Sequence, residues 1–244
     1  MNFAIILAGG VGQRMRNSGL PKQFLEVFGK PIIVYTLEKF ADSSNVDRVV
    51  VACNASWIDY TKELINKYNV NKIQAVVSGG KTRQDSIKNG LKTIIENGGT
   101  DTDIVVIHDG VRPLVEPGII NESIRVAQKY GGAMTVKAAV ESVIITDKDE
   151  VDFSAFKKRD DTYSLTSPQT FQLEIVKELY LNQSVDNTEK IMPLLDAALA
   201  YTAKGGRIHI IEENNNNLKI TTPEDYYIMK AMLELEEGRR VFGI

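Results

Sequence analysis

The chain alternates short segments that are almost entirely apolar with longer segments in which apolar residues recur every three or four positions. Four of the short segments are rich in Ile and Val and are bounded by polar residues or by glycine. They are FAIIL (3–7), VDRVVVAC (46–53), KIQAVVS (72–78) and DIVVIH (103–108). Strands that are buried on both faces lose the alternation of polar and apolar residues, so these segments predict central strands of a parallel sheet.

The longer segments have the periodicity of amphipathic helices. One follows Gly29 as PIIVYTLEKFAD, and others begin at residues 55, 83 and 116. This alternation over the first 130 residues predicts an α/β fold with a three-layer, doubly wound and mostly parallel sheet. Ligands of such sheets bind at the carboxyl ends of the strands, where residues 8–22 and 108–113 are expected to lie.

The middle of the chain departs from this rhythm. Residues 133–171 contain β-branched runs and a charged turn, DKDE (147–150), before a helix that we expect to begin near Phe171. The pattern predicts a strand that leads into a projecting β-arm over residues 141–165. Two short strands are marginally stable alone, so the arm is expected to pack on a partner subunit in a homodimer.

The last third of the chain predicts further helices and one strand. The helices are expected near 172–183 and 188–203, the strand at 207–211, and a closing helix from Pro223 with Thr222 as its cap. The run NNNN (214–217) is interpreted as a surface loop. We expect one domain over residues 1–244, to which the arm is an appendage.

Composition excludes several classes of protein. The 244 residues are 43% hydrophobic and carry a net charge of −3, which disfavours a nucleic-acid binder because such domains are usually basic. Cys53 is the single cysteine, so no intrachain disulfide and no zinc-ligand pattern is possible. The sequence shows no leader pattern and no apolar run of roughly 20 residues, so a cytoplasmic protein without a membrane span is expected.

A glycine-rich loop follows the first strand and carries several cations. Gly9, Gly10 and Gly12 are followed by Arg14, Arg16 and Lys22. Glycines let backbone amides approach an oxyanion, while Arg14 and Lys22 supply full charges to a phosphoryl or nucleotidyl group in transfer. The alternative is a tight turn whose cations are solvated, and Arg16 is the expected bystander.

Two named phosphate motifs are incomplete in this chain. The first loop has Met15 where a dinucleotide fingerprint needs its third glycine, and Gly80-Lys81-Thr82 has Ala75 where a phosphate loop needs its first glycine. The segment SGGKTRQDS (78–86) still suits the reading of a base or ribose by backbone groups and Ser86. Capping of a helix by Thr82 explains the same residues equally well.

The segment HDGVRP (108–113) comes directly after an apolar strand. Asp109 is placed to bind a metal or hold an acceptor, and Arg112 to bind a phosphate. A turn in which Asp109 accepts local backbone amides is the alternative. His108 is interpreted as a packed, hydrogen-bonded residue, and Lys219 as either a solvated residue or a cation directed into the cleft.

Seven segments resemble, in order and spacing, the cytidylyltransferases that form CDP-linked polyols. They are LAGGVGQRM, LPKQF, GKPIIVYTLEKF, SGGKTRQDSI, HDGVRP, SPQTF and NLKITTPED. The family includes 2-C-methyl-D-erythritol 4-phosphate cytidylyltransferase and ribitol-5-phosphate cytidylyltransferase. The resemblance implies a nucleotidyltransferase of Rossmann-like fold that joins CTP to a polyol phosphate, with Mg²⁺ as cofactor, and releases pyrophosphate.

The resemblance also implies roles for individual residues. The residues that match the family's catalytic cations are Arg14, Lys22 and Lys219. Those that match its CTP site are Leu7, Ala8, Gly9, Gly10, Gly12, Gly80, Arg83 and Ser86. Those that match its acceptor site are Asp109, Arg112, Ser142, Arg159 and Ser167, with Asp109 also near the metal. Ser142 and Arg159 belong to the arm and are expected to reach the acceptor across the homodimer.

The chain departs from the family pattern at four positions. Ser142, Ser167 and Leu195 stand where the family has threonine, and Lys81 stands where it has aspartate. All the cations expected for catalysis are present, so these departures bear on the acceptor and leave the type of reaction unchanged.

Other features favour the ribitol branch of the family, namely LAGG in the first loop, Trp57, and SVIITD in the arm. We therefore expect D-ribitol 5-phosphate as the acceptor, in the assembly of a cell-surface polymer. Methylerythritol phosphate, for isoprenoid synthesis, is the alternative acceptor. A nucleotide-binding regulatory protein without turnover would be expected to lack the loop cations, and a dinucleotide oxidoreductase to have the third glycine.

Overall fold

The computed structural model describes residues 1–10, 19–147, 149–182, 196–214 and 216–243. The strands in these residues are β1 (Asn2–Ala8), β2 (Glu26–Val27), β3 (Lys30–Pro31), β4 (Arg48–Cys53), β5 (Ile73–Ser78), β6 (Ile104–Asp109), β7 (Gly132–Ala138), β8 (Val143–Ile144), β9 (Phe156–Lys157), β10 (Tyr163–Gln172) and β11 (His209–Glu212). The helices are α1 (Ile32–Asp42), α2 (Ile58–Lys67), α3 (Arg83–Glu96), α4 (Pro117–Tyr130), α5 (Leu173–Tyr180), α6 (Ala197–Ala203) and α7 (Pro223–Phe242).

Seven of these strands form one sheet in the order β11-β7-β10-β6-β1-β4-β5. Neighbouring strands are parallel except at β10, which is antiparallel to both β6 and β7. The predicted mostly parallel sheet is confirmed. Its β5 strand lies at an edge and is only partly buried, although the apolar run at 72–78 predicted a central strand.

Helices cover both faces of the sheet, as expected for three layers. On β1, Ala4 and Ile6 pack in the core cluster that contains α1 and α4, while Phe3 and Ile5 pack in the cluster that contains α3 and α5. Successive side chains of one strand therefore enter two separate cores, which explains why β1 is apolar from Phe3 to Ala8. Of the helices described, none is long and apolar enough to cross a membrane.

The C-terminal boundaries differ from the prediction where tertiary packing decides. The helix expected near Phe171 begins slightly later, because Phe171 pairs with Gly132 of β7 and Val105 of β6 and its buried side chain joins the core. The helix α5 therefore begins only at Leu173. The helix predicted at 188–203 is seen as α6, and residues 183–195, which hold Leu195, lie outside the described residues.

The predicted arm contains a two-stranded ladder, in which Val143 pairs with Lys157 and Ile144 with Phe156. Residues 163–165, which the sequence assigned to the arm, belong instead to β10, because Tyr163 pairs with Ala138 of β7. The contact of the arm with a partner subunit stays a prediction.

The closing helix begins as predicted. Thr222 Oγ1 accepts the amide of Asp225 at 3.4 Å, and the Asp225 carboxylate accepts the amide of Thr222 at 2.7 Å. This reciprocal capping box satisfies two amides that a helix end otherwise leaves unpaired. A separate hydrogen bond fixes the chain just after Lys219, in which Ile220 N donates to the carbonyl of Val111 at 2.9 Å.

Candidate active site

A cleft of about 280 Å³ opens at the carboxyl ends of β1 and β6, beside the start of α3. This is the position expected for ligands of a doubly wound sheet. The cleft is lined by Leu7, Ala8, Gly9, Gly10, Lys22, Gln23, Gly80, Lys81, Thr82, Arg83, Ser86, Asp109, Val111 and Lys219. Most of the residues predicted for CTP binding and catalysis are thus brought together, whereas Gly12, Arg14 and Arg16 lie outside the described residues.

The turn that carries Lys22 is fastened to the first strand. Gln23 is buried, and its Nε2 donates to the carbonyl of Ala8 at 2.7 Å. Phe24, the next residue, packs on Trp57 at 5.0 Å and on Tyr60 at 5.2 Å between ring centroids. Gln23 was not predicted as a site residue, although the LPKQF motif contains it, and its contact positions Lys22 at the mouth of the cleft.

The second glycine-rich loop folds tightly onto the first turn of α3. A Cβ atom on Gly80 would lie 1.9 Å from Cβ of Asp85, so only glycine fits. Ser86 Oγ accepts the amide of Gly80 at 3.1 Å and donates to the carbonyl of Thr82 at 3.0 Å. Thr82 Oγ1 also caps α3 by accepting the Asp85 amide, so the capping role and the loop-forming role coexist.

Asp109 ends β6 and is surrounded by cations. Its Oδ1 accepts Arg83 Nη1 at 2.6 Å, and its Oδ2 accepts Lys219 Nζ at 2.9 Å and Arg112 Nε at 3.3 Å. Burial on its own would raise the pKa of Asp109, but the three cations outweigh it and hold the pKa far below its ordinary value. The Asp109 carboxylate is therefore ionised, and Lys219 is directed into the cleft.

His108 is held as a neutral, buried residue. Its Nε2 lies 3.2 Å from the carbonyl oxygen of Arg112, which only accepts, so this nitrogen donates. Its Nδ1 then accepts from Ser167 Oγ at 3.1 Å, and the same Oγ accepts the amide of Asp109 at 3.2 Å. Burial lowers the pKa of His108 to about 4. His108 thus orients Ser167 and Arg112, which agrees with its interpretation as a packed histidine.

Arg112 is held from the far side of the cleft by the segment 213–217. Its Nη1 donates to the carbonyl of Asn217 at 2.9 Å, and Asn217 Nδ2 donates to the carbonyl of Ser167 at 2.6 Å. The interpretation of NNNN as a surface loop is wrong for Asn217, which is 2% exposed. The signal for its role was its place directly before the LKI segment that carries Lys219.

Two predicted acceptor residues lie away from this cleft. Ser142 and Arg159 belong to the arm, and both are exposed. Arg159 Nε lies 3.8 Å from Oδ1 of Asp160, its neighbour in the chain. Neither residue contributes to the cleft of its own chain, so a contribution to the acceptor site of another subunit stays a prediction.

The cleft fits a polyanion better than a metal held by the protein. Its lining combines the cations Lys22, Lys81, Arg83 and Lys219 with the Asp109 carboxylate. Mg²⁺ bound to protein takes carboxylate oxygens and water, often together with phosphates of the substrate. Both Asp109 oxygens already face cations, and in the described part of the chain no cluster of three acidic, His or Cys residues exists. The described residues therefore do not fit a resident Mg²⁺ at Asp109.

The chain is similar to curated cytidylyltransferases over its whole length. It is 40% identical over 244 residues to the ribitol-5-phosphate cytidylyltransferase of Vibrio parahaemolyticus, with 100% of each chain covered. It is 39% identical over 245 residues to the ribitol-5-phosphate cytidylyltransferase of Streptococcus agalactiae, again with 100% of each chain covered.

Solved structures of similar fold are less similar in sequence. The 4-diphosphocytidyl-2C-methyl-D-erythritol synthase of Anaerococcus prevotii has a TM-score of 0.78 and 25% identity, with 96% of each chain covered. The 2-C-methyl-D-erythritol 4-phosphate cytidylyltransferase of Francisella tularensis has a TM-score of 0.69 and 26% identity, covering 94% of this chain and 99% of its own.

The family model described as IspD, 2-C-methyl-D-erythritol 4-phosphate cytidylyltransferase, matches residues 2–235. This match includes both glycine-rich loops, the Asp109 cluster and Lys219. The family-wide match and the full-length relatives agree with the geometry of the cleft. The chain therefore belongs to the IspD family of cytidylyltransferases, which are nucleotidyltransferase enzymes.

Proposed function

We propose that this enzyme transfers the cytidylyl group of CTP to D-ribitol 5-phosphate, giving CDP-ribitol and pyrophosphate. The observation that carries the reaction type is the convergence of two glycine-rich loops, Lys22, Lys219 and the Asp109 cluster on one cleft. The identity of 39–40% to ribitol-5-phosphate cytidylyltransferases supports the choice of acceptor. Such a product suits the assembly of a cell-surface polymer, and we expect the reaction to take place in the cytoplasm.

The reaction needs no general base from the protein. An oxygen of the acceptor phosphate attacks the α-phosphorus of CTP in line, and the bond from that phosphorus to the bridging oxygen breaks as pyrophosphate leaves. The second pKa of a phosphate monoester is about 6, so the nucleophile is largely ionised at neutral pH. His108, which burial keeps neutral and which contacts Arg112 and Ser167, fits this scheme as a positioning residue.

The protein contributes position and charge. The turn that Gln23 fastens to β1 presents Lys22, and the segment before the α7 cap presents Lys219. Arg14, which lies outside the described residues, is proposed as the third catalytic cation from its place in the first loop. Asp109 gathers Arg83, Arg112 and Lys219 before substrates bind, so little rearrangement is needed when phosphates enter.

Mg²⁺ is proposed to arrive with the triphosphate of CTP. Nucleotide phosphates supply most of its ligands in many enzymes, and the ion keeps several waters. In this proposal Asp109 faces the acceptor and its cations rather than the ion. When bound, Mg²⁺ would neutralise charge that develops on the departing pyrophosphate.

We also propose that the chain acts as a homodimer through its arm. Apolar side chains of the arm and its base face solvent, with Phe153 91% exposed and Val140 and Ile145 both 67% exposed. Contiguous exposed apolar residues favour burial against another protein. In a homodimer, Ser142 and Arg159 would approach the acceptor site of the partner subunit.

A methylerythritol phosphate acceptor is the second candidate, because the matched family model and the similar solved structures carry that activity in their descriptions. The two acceptors share a phosphate and a polyol chain, and they differ in the length of the main chain, in branching and in the number of hydroxyl groups. Arg112, the described residue that is proposed to bind the acceptor phosphate, suits both. The choice therefore rests on the rate with each acceptor.

The acceptor is tested by pyrophosphate release from CTP, measured with Mg²⁺ and with each acceptor phosphate in parallel. We expect a higher kcat/KM with D-ribitol 5-phosphate than with methylerythritol phosphate. A higher value with methylerythritol phosphate would transfer the enzyme to the second candidate function. If the enzyme binds CTP but releases no pyrophosphate from it with either acceptor, both candidate functions are contradicted.

Substitution of Lys22 tests the catalytic charge. Lys22→Ala is expected to lower kcat roughly 10²- to 10³-fold, the usual effect of losing one preorganised donor to a developing negative charge. CTP binding, measured by titration calorimetry, should weaken much less. Lys62→Ala, at an exposed lysine of α2, is the control and should retain full turnover. Unchanged turnover in Lys22→Ala would contradict the assigned role.

The homodimer is tested by removing an apolar contact of the arm. Phe153→Ser is expected to shift the mass from dimer to monomer in light scattering at micromolar concentration and to raise KM for the acceptor. Ser154→Ala alters the neighbouring residue and should leave the dimer intact. A wild-type protein that is already monomeric would contradict the dimer and the proposed reach of Arg159.

A further inference from the structure

Glu213 is a buried acidic residue that the reaction scheme does not use. It follows the edge strand β11 and is 6% exposed. Its amide donates to the carbonyl of Val136 at 2.9 Å, which fixes its backbone beside β7. Burial raises the pKa of Glu213, and the side chains of Thr166 and Asn217 and the charges of Lys137 and Arg112 act in the opposite direction. A buried carboxyl group is costly unless it is paired, so this position needs a physical reason.

The contacts of Glu213 lead toward the acceptor side of the cleft. Its Oε2 accepts from Asn217 Nδ2 at 2.7 Å, and the same amide nitrogen donates to the carbonyl of Ser167 at 2.6 Å. Both neighbours accept, so the Asn217 amide has one orientation in which both contacts are hydrogen bonds. Glu213 thereby fixes the rotation of the Asn217 side chain.

Asn217 in turn holds two groups that face the acceptor. Its backbone carbonyl accepts a hydrogen bond from Nη1 of Arg112 at 2.9 Å, while its side-chain Nδ2 donates to the backbone carbonyl of Ser167. Arg112 and Ser167 both contact Asp109, through the carboxylate and the amide respectively. A displacement of Asn217 would therefore move the guanidinium and the hydroxyl together.

Stability alone does not explain the arrangement. Glu213 Oε1 and Asn217 Oδ1 are both buried and, among the residues that the structure describes, have no hydrogen-bond partner. Buried acceptors without a partner lower stability, so an apolar pair of similar shape would serve packing at least as well. Glu213 and Asn217 together fix the orientation of the Asn217 side-chain amide, which a pair of apolar side chains could not do.

We propose that Glu213 is a positioning residue for acceptor binding, which acts through Asn217 on Ser167 and Arg112. The proposal deepens the proposed function and rests on it for the identity of the acceptor. It concerns binding of the acceptor and leaves the CTP loops untouched, because the hydrogen bonds of the Glu213 and Asn217 side chains and of the Asn217 carbonyl reach Ser167 and Arg112, and neither residue belongs to a glycine-rich loop.

The first test needs no turnover. Hydrogen exchange of the ligand-free protein is compared for wild type, Glu213→Ala, Glu213→Gln and the control Glu212→Ala, which alters the exposed neighbour on β11. Glu213→Ala should speed exchange in residues 108–115 and 165–170 and leave residues 79–90 unchanged. Glu213→Gln keeps an oxygen that accepts from Asn217, so it should resemble the wild type. Equal exchange in Glu213→Ala and wild type would overturn the proposal, as would faster exchange throughout the chain.

The second test separates KM from kcat. Glu213→Ala should raise KM for D-ribitol 5-phosphate about tenfold, as expected for losing one buried hydrogen bond to a charged group, with kcat and KM for CTP unchanged. The double variant with Asn217→Ala should be no worse than Asn217→Ala alone, because both lie on one route. If the two substitutions raised KM for the acceptor additively, the route through Asn217 would be overturned. A Glu213→Gln variant with a KM as high as that of Glu213→Ala would overturn it as well.

The two hypotheses fail in different ways. A wild-type enzyme that releases no pyrophosphate with either acceptor contradicts the proposed function, while the exchange measurement still decides whether Glu213 positions Ser167 and Arg112. A fully active wild type whose Glu213→Ala variant keeps its KM for the acceptor contradicts the positioning role alone.

Discussion

The attraction between one buried carboxylate and three cations organises this site. Asp109 and Arg112 are both nearly buried, and such charges are tolerated only when each compensates another. Arg83 comes from the start of α3, Arg112 from the loop after β6, and Lys219 from the segment before α7. The carboxylate thus ties the start of α3 and the segment before α7, which are distant in the chain, to the end of β6. Cations that would repel each other are held together before any phosphate is present.

The fold explains why Asp109 occupies this place. β6 lies next to β1 in the middle of the sheet, so its last residue emerges beside the first glycine-rich loop. β10 lies on the other side of β6 in the antiparallel direction, and it brings Ser167 to the amide of Asp109. The neutral His108 accepts a hydrogen bond from Ser167 Oγ and so holds this hydroxyl in place. Asp109 and Ser167 are therefore both held by strands, which position side chains more precisely than loops do.

Much of the fold follows from local patterns in the sequence. The apolar runs of β1, β4 and β6 and the capping residues Thr82 and Thr222 predicted the elements that the structure contains. Local patterns locate the exact ends of elements less well, because the strand pairing of Phe171 with β6 and β7 delays the start of α5 to Leu173. Strand order is equally absent from local patterns, so β5 was predicted as central although it lies at an edge.

The cations of the site could be predicted from the sequence, but the residues that position them could not. Lys22, Arg112 and Lys219 belong to short motifs whose residue types suit phosphates. Gln23 and Asn217 act through hydrogen bonds to backbone carbonyls of residues distant in the chain, and no pattern in the sequence reveals such partners. The polar run NNNN predicted that Asn217 would be exposed, whereas it is buried. Composition describes the average polarity of a segment and not the environment of one side chain.

The cleft is proposed to present an acceptor phosphate for direct attack on the α-phosphorus, without a nucleophile from the protein. The measurement that tests it most directly is the stereochemistry at that phosphorus, determined with CTP that carries a single chiral thiophosphate at the α-position. A single in-line displacement predicts inversion of configuration. Retention would require two displacements through a covalent intermediate on the enzyme, and it would contradict the account.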